Sequence, residues 1–95
     1  MAVWGWNAMI GAICGDVCLW KPSSKAPVSA IALQKTIAPV LLANDLPEGI
    51  FSLIIGDRET VGERILADPR IPLVSFTGSV AAGRHAARRQ RRIQP

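Results

Sequence analysis

IPLVSFTGSVAAG, residues 71–83, is the stretch of the sequence that decides the fold. Its apolar run over residues 73–76 is short and contains Val and Phe, which is typical of a buried strand. The chain then turns at Gly78 and continues into small residues that suit the first turn of a helix. A strand, a glycine turn and a helix start together direct free backbone N–H groups at an anion. The hydroxyl of Ser79 could bond a phosphate oxygen or act only as an N-cap, and on this stretch alone the N-cap is the commoner role.

The rest of the chain repeats this order of elements. Apolar residues at helical spacing predict helices, and uninterrupted apolar runs predict strands that are covered on both faces. The predicted elements are a helix over residues 4–14, a strand over 17–20, a helix over 27–42, a strand over 50–55, a helix over 59–67 and a strand over 73–76. We therefore predict an α/β fold, with a parallel sheet and helices on both of its faces.

The loops that follow the three strands show where a ligand would bind, because ligands of such sheets lie at the carboxyl ends of the strands. Lys21 and two serines follow the first strand, the glycine turn Gly56-Asp57-Arg58 follows the second, and residues 77–79 follow the third. A cation, a glycine turn and an anion-binding helix start suit a nucleotide. The P-loop and GxGxxG motifs are absent from the sequence, which disfavours a kinase or an ordinary NTPase.

The charge of the chain is concentrated at one end. The 95 residues suffice for one small domain, and 49% apolar with 19% charged residues indicates a globular chain. The net charge is +4, but five of the eleven basic residues are arginines between positions 84 and 92. The first 83 positions carry 6 basic and 7 acidic residues, a net charge of −1. Since no aromatic residue lies among those arginines, we expect a solvated tail rather than a nucleic-acid partner.

The cysteines indicate no metal site and no catalytic site. Cys14 and Cys18 are four residues apart, and His85 is the only histidine, so no zinc-ligand pattern is present. Both cysteines are expected to be small core residues in a reducing compartment. The uncharged run that ends at Asp16 is shorter than the roughly 18 to 20 residues of a membrane span. We expect a soluble, cytoplasmic protein with no membrane partner.

Three motifs in this order resemble the cofactor domain of the aldehyde dehydrogenase superfamily. They are Trp-Lys-Pro-Ser at 20–23, Leu-Pro-Glu-Gly at 46–49 and Phe-Thr-Gly-Ser at 76–79. The Val-Trp-Gly-Trp-Asn and Cys-Leu-Trp-Lys segments are most similar to the antiquitin-like branch, the α-aminoadipic semialdehyde dehydrogenases of lysine breakdown. The resemblance implies a partial Rossmann-like NAD-binding domain over residues 1–83, with residues 84–95 a basic tail outside family sequence.

The resemblance implies cofactor-binding roles for seven residues: Lys21, Ser24, Gly56, Phe76, Gly78, Ser79 and Ala82. Lys21 matches a lysine that bonds the adenosine ribose, and Gly56 matches the turn under the adenine side. Phe76, Gly78 and Ser79 match the segment that meets the pyrophosphate, and Ala82 matches a small residue that lines the adenine pocket. For Phe76 the alternative is core packing, and for Ala82 it is an ordinary helix position. Ser24 stands where many members have a glutamate that chelates the ribose hydroxyls, so NAD is expected and NADP is not excluded.

The resemblance also implies that the catalytic residues are absent from this chain. In the family a cysteine thiolate attacks the aldehyde, hydride passes to nicotinamide, a glutamate activates water, and an asparagine helps to hold the oxyanion. Neither Cys14 nor Cys18 matches the nucleophile, and Asn7 does not match the asparagine. The arginine-rich end resembles terminal or out-of-frame sequence, which predicts a gene fragment. The favoured interpretation is an inactive fragment of an enzyme that oxidises a small semialdehyde. The full-length enzyme is expected to be a homo-oligomer. The alternatives are a non-catalytic nucleotide-binding module or a truncated pseudogene product, and, with less support, an arginine-driven nucleic-acid or membrane-surface peptide.

Overall fold

The structure of the chain is a computed structural model that describes residues 2–91. The last four residues of the predicted basic tail, 92–95, lie outside the described residues. The chain divides into two compact units, Met1–Gly56 and Asp57–Pro95. Within the described range, no helix combines the length and the apolar character that crossing a membrane requires.

The first unit is a βαβ arrangement preceded by a helix. Helix α1 spans Ala2–Ile13, strand β1 Cys18–Trp20, helix α2 Pro27–Ala43 and strand β2 Phe51–Leu53, with a 3₁₀ turn at Glu48–Ile50 before β2. The two strands pair in parallel, with Cys18 opposite Phe51 and Trp20 opposite Leu53. A parallel pair joined through a helix confirms the predicted α/β class and is consistent with a partial Rossmann-like domain.

Local sequence signals explain the ends of these helices. Gly15, with φ of +85°, terminates α1 in the left-handed region that glycine enters without steric cost. Pro27 occupies the first turn of α2, where its missing N–H breaks no helical bond. A proline inside a helix usually kinks or ends it, yet α2 continues past Pro39 to Ala43.

The core of the first unit is small and aromatic. Trp4, Ala8, Leu41 and Phe51 are buried in one cluster. The ring of Trp4 lies 5.3 Å from that of Trp20 and meets the Phe51 ring edge-on at 5.7 Å. The side-chain amide of Gln34 donates to the Phe51 carbonyl at 2.6 Å and so ties α2 to β2.

The predicted placement of the cysteines is half right. Cys18 packs against the core cluster, as expected of a small hydrophobic residue. Cys14 is exposed, which contradicts the core position predicted for it. It lies one residue beyond the end of α1, where the chain has already turned towards Gly15.

The second unit is helical, and here the structure differs from the sequence-based predictions at two places. A π-helical turn at Arg58–Gly62 leads into helix α3, Glu63–Ala67, and helix α4 spans Val80–Arg91. Residues 73–76 form irregular structure instead of the predicted third strand, and Leu73 is 78% exposed. Within residues 2–91 the sheet consists of β1 and β2, so this apolar run has no ladder of backbone hydrogen bonds to hold it as a strand.

The second difference concerns the predicted solvated tail, which is helical within the described residues although Arg84, Arg88 and Arg91 are exposed. Residues 84–91 are the continuation of α4, and the guanidinium of Arg89 donates to Glu63 at 3.1 Å. The side chain of Gln90 donates to the Ile71 carbonyl at 3.1 Å, and Ala86 is buried. These contacts give the arginine-rich segment a packed side, although it has few apolar residues. The boundary predicted at residue 83, with non-family sequence after it, stays a prediction.

Candidate functional site

The loops after β1 and β2 lie at one edge of the two-stranded sheet. Trp20 and Leu53 are paired in parallel, so the residues that follow each strand leave the sheet from the same side. Lys21 is half-buried directly after β1, and its ammonium group donates to the Pro22 carbonyl at 3.3 Å. Gly56 follows β2 and is also half-buried. The first unit therefore brings these two predicted site residues to a common edge, as the order of strands and loops predicts.

Ser24 is the third predicted site residue of the first unit. It is exposed and belongs to the turn that joins β1 to α2. In this turn the Ala26 N–H donates to the Ser23 carbonyl at 3.0 Å, and the Lys25 N–H donates to the Ser23 hydroxyl at 3.3 Å. The turn carries no carboxylate at position 24, so it holds nothing that would repel a phosphate from that position.

In the second unit, residues 76–79 form a segment that we call the phosphate turn. It leads into α4, and the Ser79 hydroxyl accepts from the Ala82 N–H at 3.2 Å. The Ser79 carbonyl accepts from the Gly83 N–H at 2.9 Å. Ser79 is therefore the N-cap of α4, which was the simpler of its two predicted roles. The first N–H groups of a helix have no partner within it, so the same residue stands where an anion could bind.

Phe76 and Gly78 are coupled by close packing. A Cβ atom at position 78 would lie 2.8 Å from Cζ of the Phe76 ring, and one at position 83 would lie 3.5 Å from Cδ1. The ring covers these two glycines and remains 46% exposed. Phe76 is thus not a core residue, which removes the alternative of core packing for it. Glycine at 78 is explained by the position of the ring rather than by backbone strain, because its φ is not positive.

Ala82 lines an open depression of about 470 Å³ in the second unit, which we call the charged depression. Its walls are formed by Arg58, Glu59, Glu63, Ala81, Ala82 and His85. Ala81 and Ala82 give it a patch of apolar surface, and the other four side chains are polar or charged. Ala82 is therefore part of a cavity wall and not only a filler position on the helix.

Glu63 is the most strongly bonded of the charged residues. Its carboxylate meets the imidazole of His85 through Oε1 and accepts from the Arg89 guanidinium through Oε2 at 3.1 Å. The hydrogen bond to His85, followed by that to Arg89, holds the pKa of Glu63 below its ordinary value. Because both partners lie on α4, this one carboxylate fastens α3 to α4.

Arg58 and Glu59 are bound much more loosely. Their closest charged atoms are 3.6 Å apart, and their side chains are 67% and 73% exposed. The backbone beneath them is fixed, since Asp57 caps the π-helical turn by accepting from the Thr60 N–H at 2.8 Å.

Sequence reasoning named Ala82 but missed its polar neighbours. Glu63 and His85 are 22 positions apart, and no spacing rule connects them. Arg58 belongs to the turn at residues 56–58 that the sequence analysis placed after the second strand, but only Gly56 of that turn was named as a site residue.

Cys18 and Asn7, which the sequence analysis compared with the catalytic residues of the family, have ordinary structural surroundings. Burial raises the pKa of the Cys18 thiol, which disfavours the thiolate. The Asn7 side chain donates to the Val3 carbonyl of its own helix at 3.0 Å. Within residues 2–91, no group of three or more potential metal ligands is found.

Comparison with known proteins agrees with the three sequence motifs. The aldehyde dehydrogenase family model matches residues 1–94. Aldehyde dehydrogenase family 7 member A1 of Malus domestica is 50% identical over 82 residues, which cover 86% of this chain and 16% of that protein. Aldehyde dehydrogenase family 7 member B4 of Arabidopsis thaliana is 49% identical over 82 residues, which again cover 86% of this chain and 16% of that protein. The α-aminoadipic semialdehyde dehydrogenase of Bos taurus is 42% identical over 87 residues, which cover 92% of this chain and 16% of that protein.

The chain thus spans about 16% of the length of the curated relatives it matches. Nearly the whole of it takes part in each match, and the family model extends through α4 and beyond. The chain belongs to the aldehyde dehydrogenase family.

Proposed function

We propose that this chain is part of an NAD(P)-dependent aldehyde dehydrogenase that oxidises a small semialdehyde to its carboxylate. The family membership supports the oxidation of an aldehyde, and relatives named α-aminoadipic semialdehyde dehydrogenase support that substrate type and a place in lysine breakdown. The proposal includes a homo-oligomeric, cytoplasmic enzyme without nucleic-acid or membrane partners. These 95 residues would supply only part of its cofactor site.

The observation that carries the cofactor proposal is the arrangement of the second unit. Ser79 caps α4, and three residues later Ala82 enters the wall of the charged depression. The depression could take a base, while the helix start next to it could take a phosphate group. Phe76, Gly78 and Ser79 are all exposed, so a pyrophosphate could reach the phosphate turn without displacing a core side chain. The residues present therefore fit an adenine dinucleotide.

Lys21 and Ser24 would bind the adenosine ribose. A half-buried ammonium group donates readily to ribose hydroxyls, and its present partner is a carbonyl on the neighbouring residue. Ser24 adds a hydroxyl without negative charge, so we propose NAD as the cofactor, and this turn does not exclude NADP. Gly56 would allow the backbone to approach the adenine side.

The residues of this chain would bind and orient the cofactor, and they would not perform the chemistry. A bound nicotinamide dinucleotide supplies the hydride acceptor for aldehyde oxidation. Covalent catalysis also needs an activated nucleophile and a base. The half-buried Cys18 thiol has a raised pKa, and the exposed Cys14 has no base assigned to it within residues 2–91. We therefore expect the 95-residue chain to oxidise no aldehyde.

Titration calorimetry of the whole 95-residue chain with NAD would test the proposal. We expect heat of binding at millimolar NAD, and none after Ser79→Ala, which removes a phosphate donor. Because loss of an N-cap costs about 0.5–2 kcal/mol of stability, Ser79→Thr provides the matched control that keeps both the cap and the hydroxyl. Wild-type chain that shows dispersed amide signals by NMR but no heat at millimolar NAD would refute the cofactor site. Production of NADH by pure chain would refute the predicted lack of turnover.

A further inference from the structure

We propose that the guanidinium of Arg58 binds the purine base of the nucleotide by covering one face of the ring in the charged depression. This inference rests on the proposed nucleotide function and adds a specific recognition residue to it. It places the purine between the cation of Arg58 and the apolar wall made by Ala81 and Ala82.

The first argument is that two other polar residues of the depression, Glu63 and His85, are already bonded. Glu63 is bonded to both His85 and Arg89, each of them on α4. A ligand that drew His85 away would leave the Glu63 carboxylate, whose side chain is only 28% exposed, with one partner fewer. His85 is therefore poorly suited to meet a ligand.

Arg58 has no comparable engagement. Its distance of 3.6 Å to Glu59 is too long for a hydrogen bond, and an ion pair so exposed stabilises little. With 67% of the side chain exposed, the guanidinium can swing over the opening of the depression at small cost. The turn that carries it is fixed by the Asp57 cap, so the swing needs no movement of the backbone.

The chemistry of the walls favours a flat, uncharged aromatic ring as the group that Arg58 meets. A guanidinium is planar and weakly hydrated, and it stacks on aromatic faces. Ala81 and Ala82 offer small apolar side chains on which the other face of a ring could lie. The carboxylates of Glu59 and Glu63 line the same depression and would repel a phosphate group there. A purine base is flat enough to stack and carries no negative charge that these carboxylates would repel, whereas a phosphate has neither property.

Binding of adenosine and of NAD to the whole chain would separate this inference from the proposed function. Adenosine carries the base without any phosphate. Arg58→Gln keeps a polar side chain and removes the guanidinium and its charge. Arg64→Gln is the matched control, because Arg64 is an exposed arginine on α3 that does not line the depression. Affinities are read from the NMR signals of the ligand and of Ala82.

We expect Arg58→Gln to weaken the binding of adenosine and of NAD by the same factor, about two- to fivefold, which is the effect of losing a partly exposed cation–π contact. Arg64→Gln should leave both affinities unchanged. If Arg58→Gln weakens the binding of NAD but not that of adenosine, the guanidinium binds a phosphate and the inference is overturned. Equal adenosine affinity in wild type and Arg58→Gln overturns it as well, while the proposed function survives. Failure of the wild type to bind NAD or adenosine refutes the proposed function and the inference together.

Discussion

Replacing Gly78 by Ala tests the packing of the phosphate turn. The added Cβ would lie 2.8, 3.1 and 3.7 Å from three carbon atoms of the Phe76 ring, so the ring must move. Since Phe76 is 46% exposed, it can turn away, at the cost of about 0.5–1.5 kcal/mol for leaving its favoured rotamer. Against this, Gly→Ala at a residue without positive φ stabilises by about 0.4–1 kcal/mol through the unfolded chain.

These two contributions nearly cancel, so the single variant should change the free energy of unfolding by less than about 1 kcal/mol. The informative measurement is a double-mutant cycle with Phe76→Ala, followed by urea unfolding. Without the ring, Gly78→Ala should become stabilising, and the coupling energy should be about 0.5–1.5 kcal/mol. The amide signal of Gly83, which the ring also covers, should shift in the single variant.

Equal effects of Gly78→Ala in the presence and in the absence of the Phe76 ring would refute this reasoning. The steric conflict would then lie with the backbone, and the ring would not explain why glycine occupies position 78. Gly49→Ala is a suitable control, because a Cβ there would meet no atom within 4 Å.

Three further predictions concern other parts of the chain. The bond to His85 holds the pKa of Glu63 below the ordinary 4.5, so the folded form gains stability above about pH 4.5 and loses it as the pH falls through the lowered pKa. Glu63→Gln should reduce this loss of stability at acid pH, measured by urea unfolding at several pH values. An unchanged pH dependence would contradict the pairing of Glu63 with His85. Gly15→Ala should destabilise by about 1–2 kcal/mol, because φ of +85° is strained for a side chain; an unchanged urea midpoint would contradict the left-handed turn. Cys14 should react with a thiol reagent several times faster than Cys18, since Cys14 is exposed and burial raises the pKa of Cys18; equal rates would contradict the assigned burial.

The elements predictable from the sequence are those whose signal is local. Apolar residues at helical spacing predicted α1 and α2, and the runs at 17–20 and 50–55 predicted the two strands that pair. Their parallel pairing followed from the helix between them. The run at 73–76 carried the same apolar signal, but a strand is defined by a bonded neighbour, and an apolar run contains no information on whether that neighbour is present.

The arginine-rich segment shows another limit of sequence reasoning. Its arginines, with no aromatic residue among them, suggested a solvated tail. The structure anchors it through Arg89 and Gln90, whose partners Glu63 and Ile71 lie 26 and 19 positions earlier. Contacts of that separation depend on how α4 is placed against the residues before it, and the charge of the segment alone does not reveal them.

The rule that ligands bind after the ends of parallel strands predicts a place for a site but does not rank the residues there. Applied to the second strand, it pointed to the turn at residues 56–58, in which Gly56 was named as a site residue and Arg58 was not. Which charged side chain can serve a ligand depends on which of them is already bonded. The guanidinium of Arg58 differs from that of Arg89 in this respect, because the latter is held by Glu63 at 3.1 Å and the former is not held at hydrogen-bond distance. Strand order therefore predicts where a ligand would bind, and the pairing of the charged side chains indicates which of them is available to it.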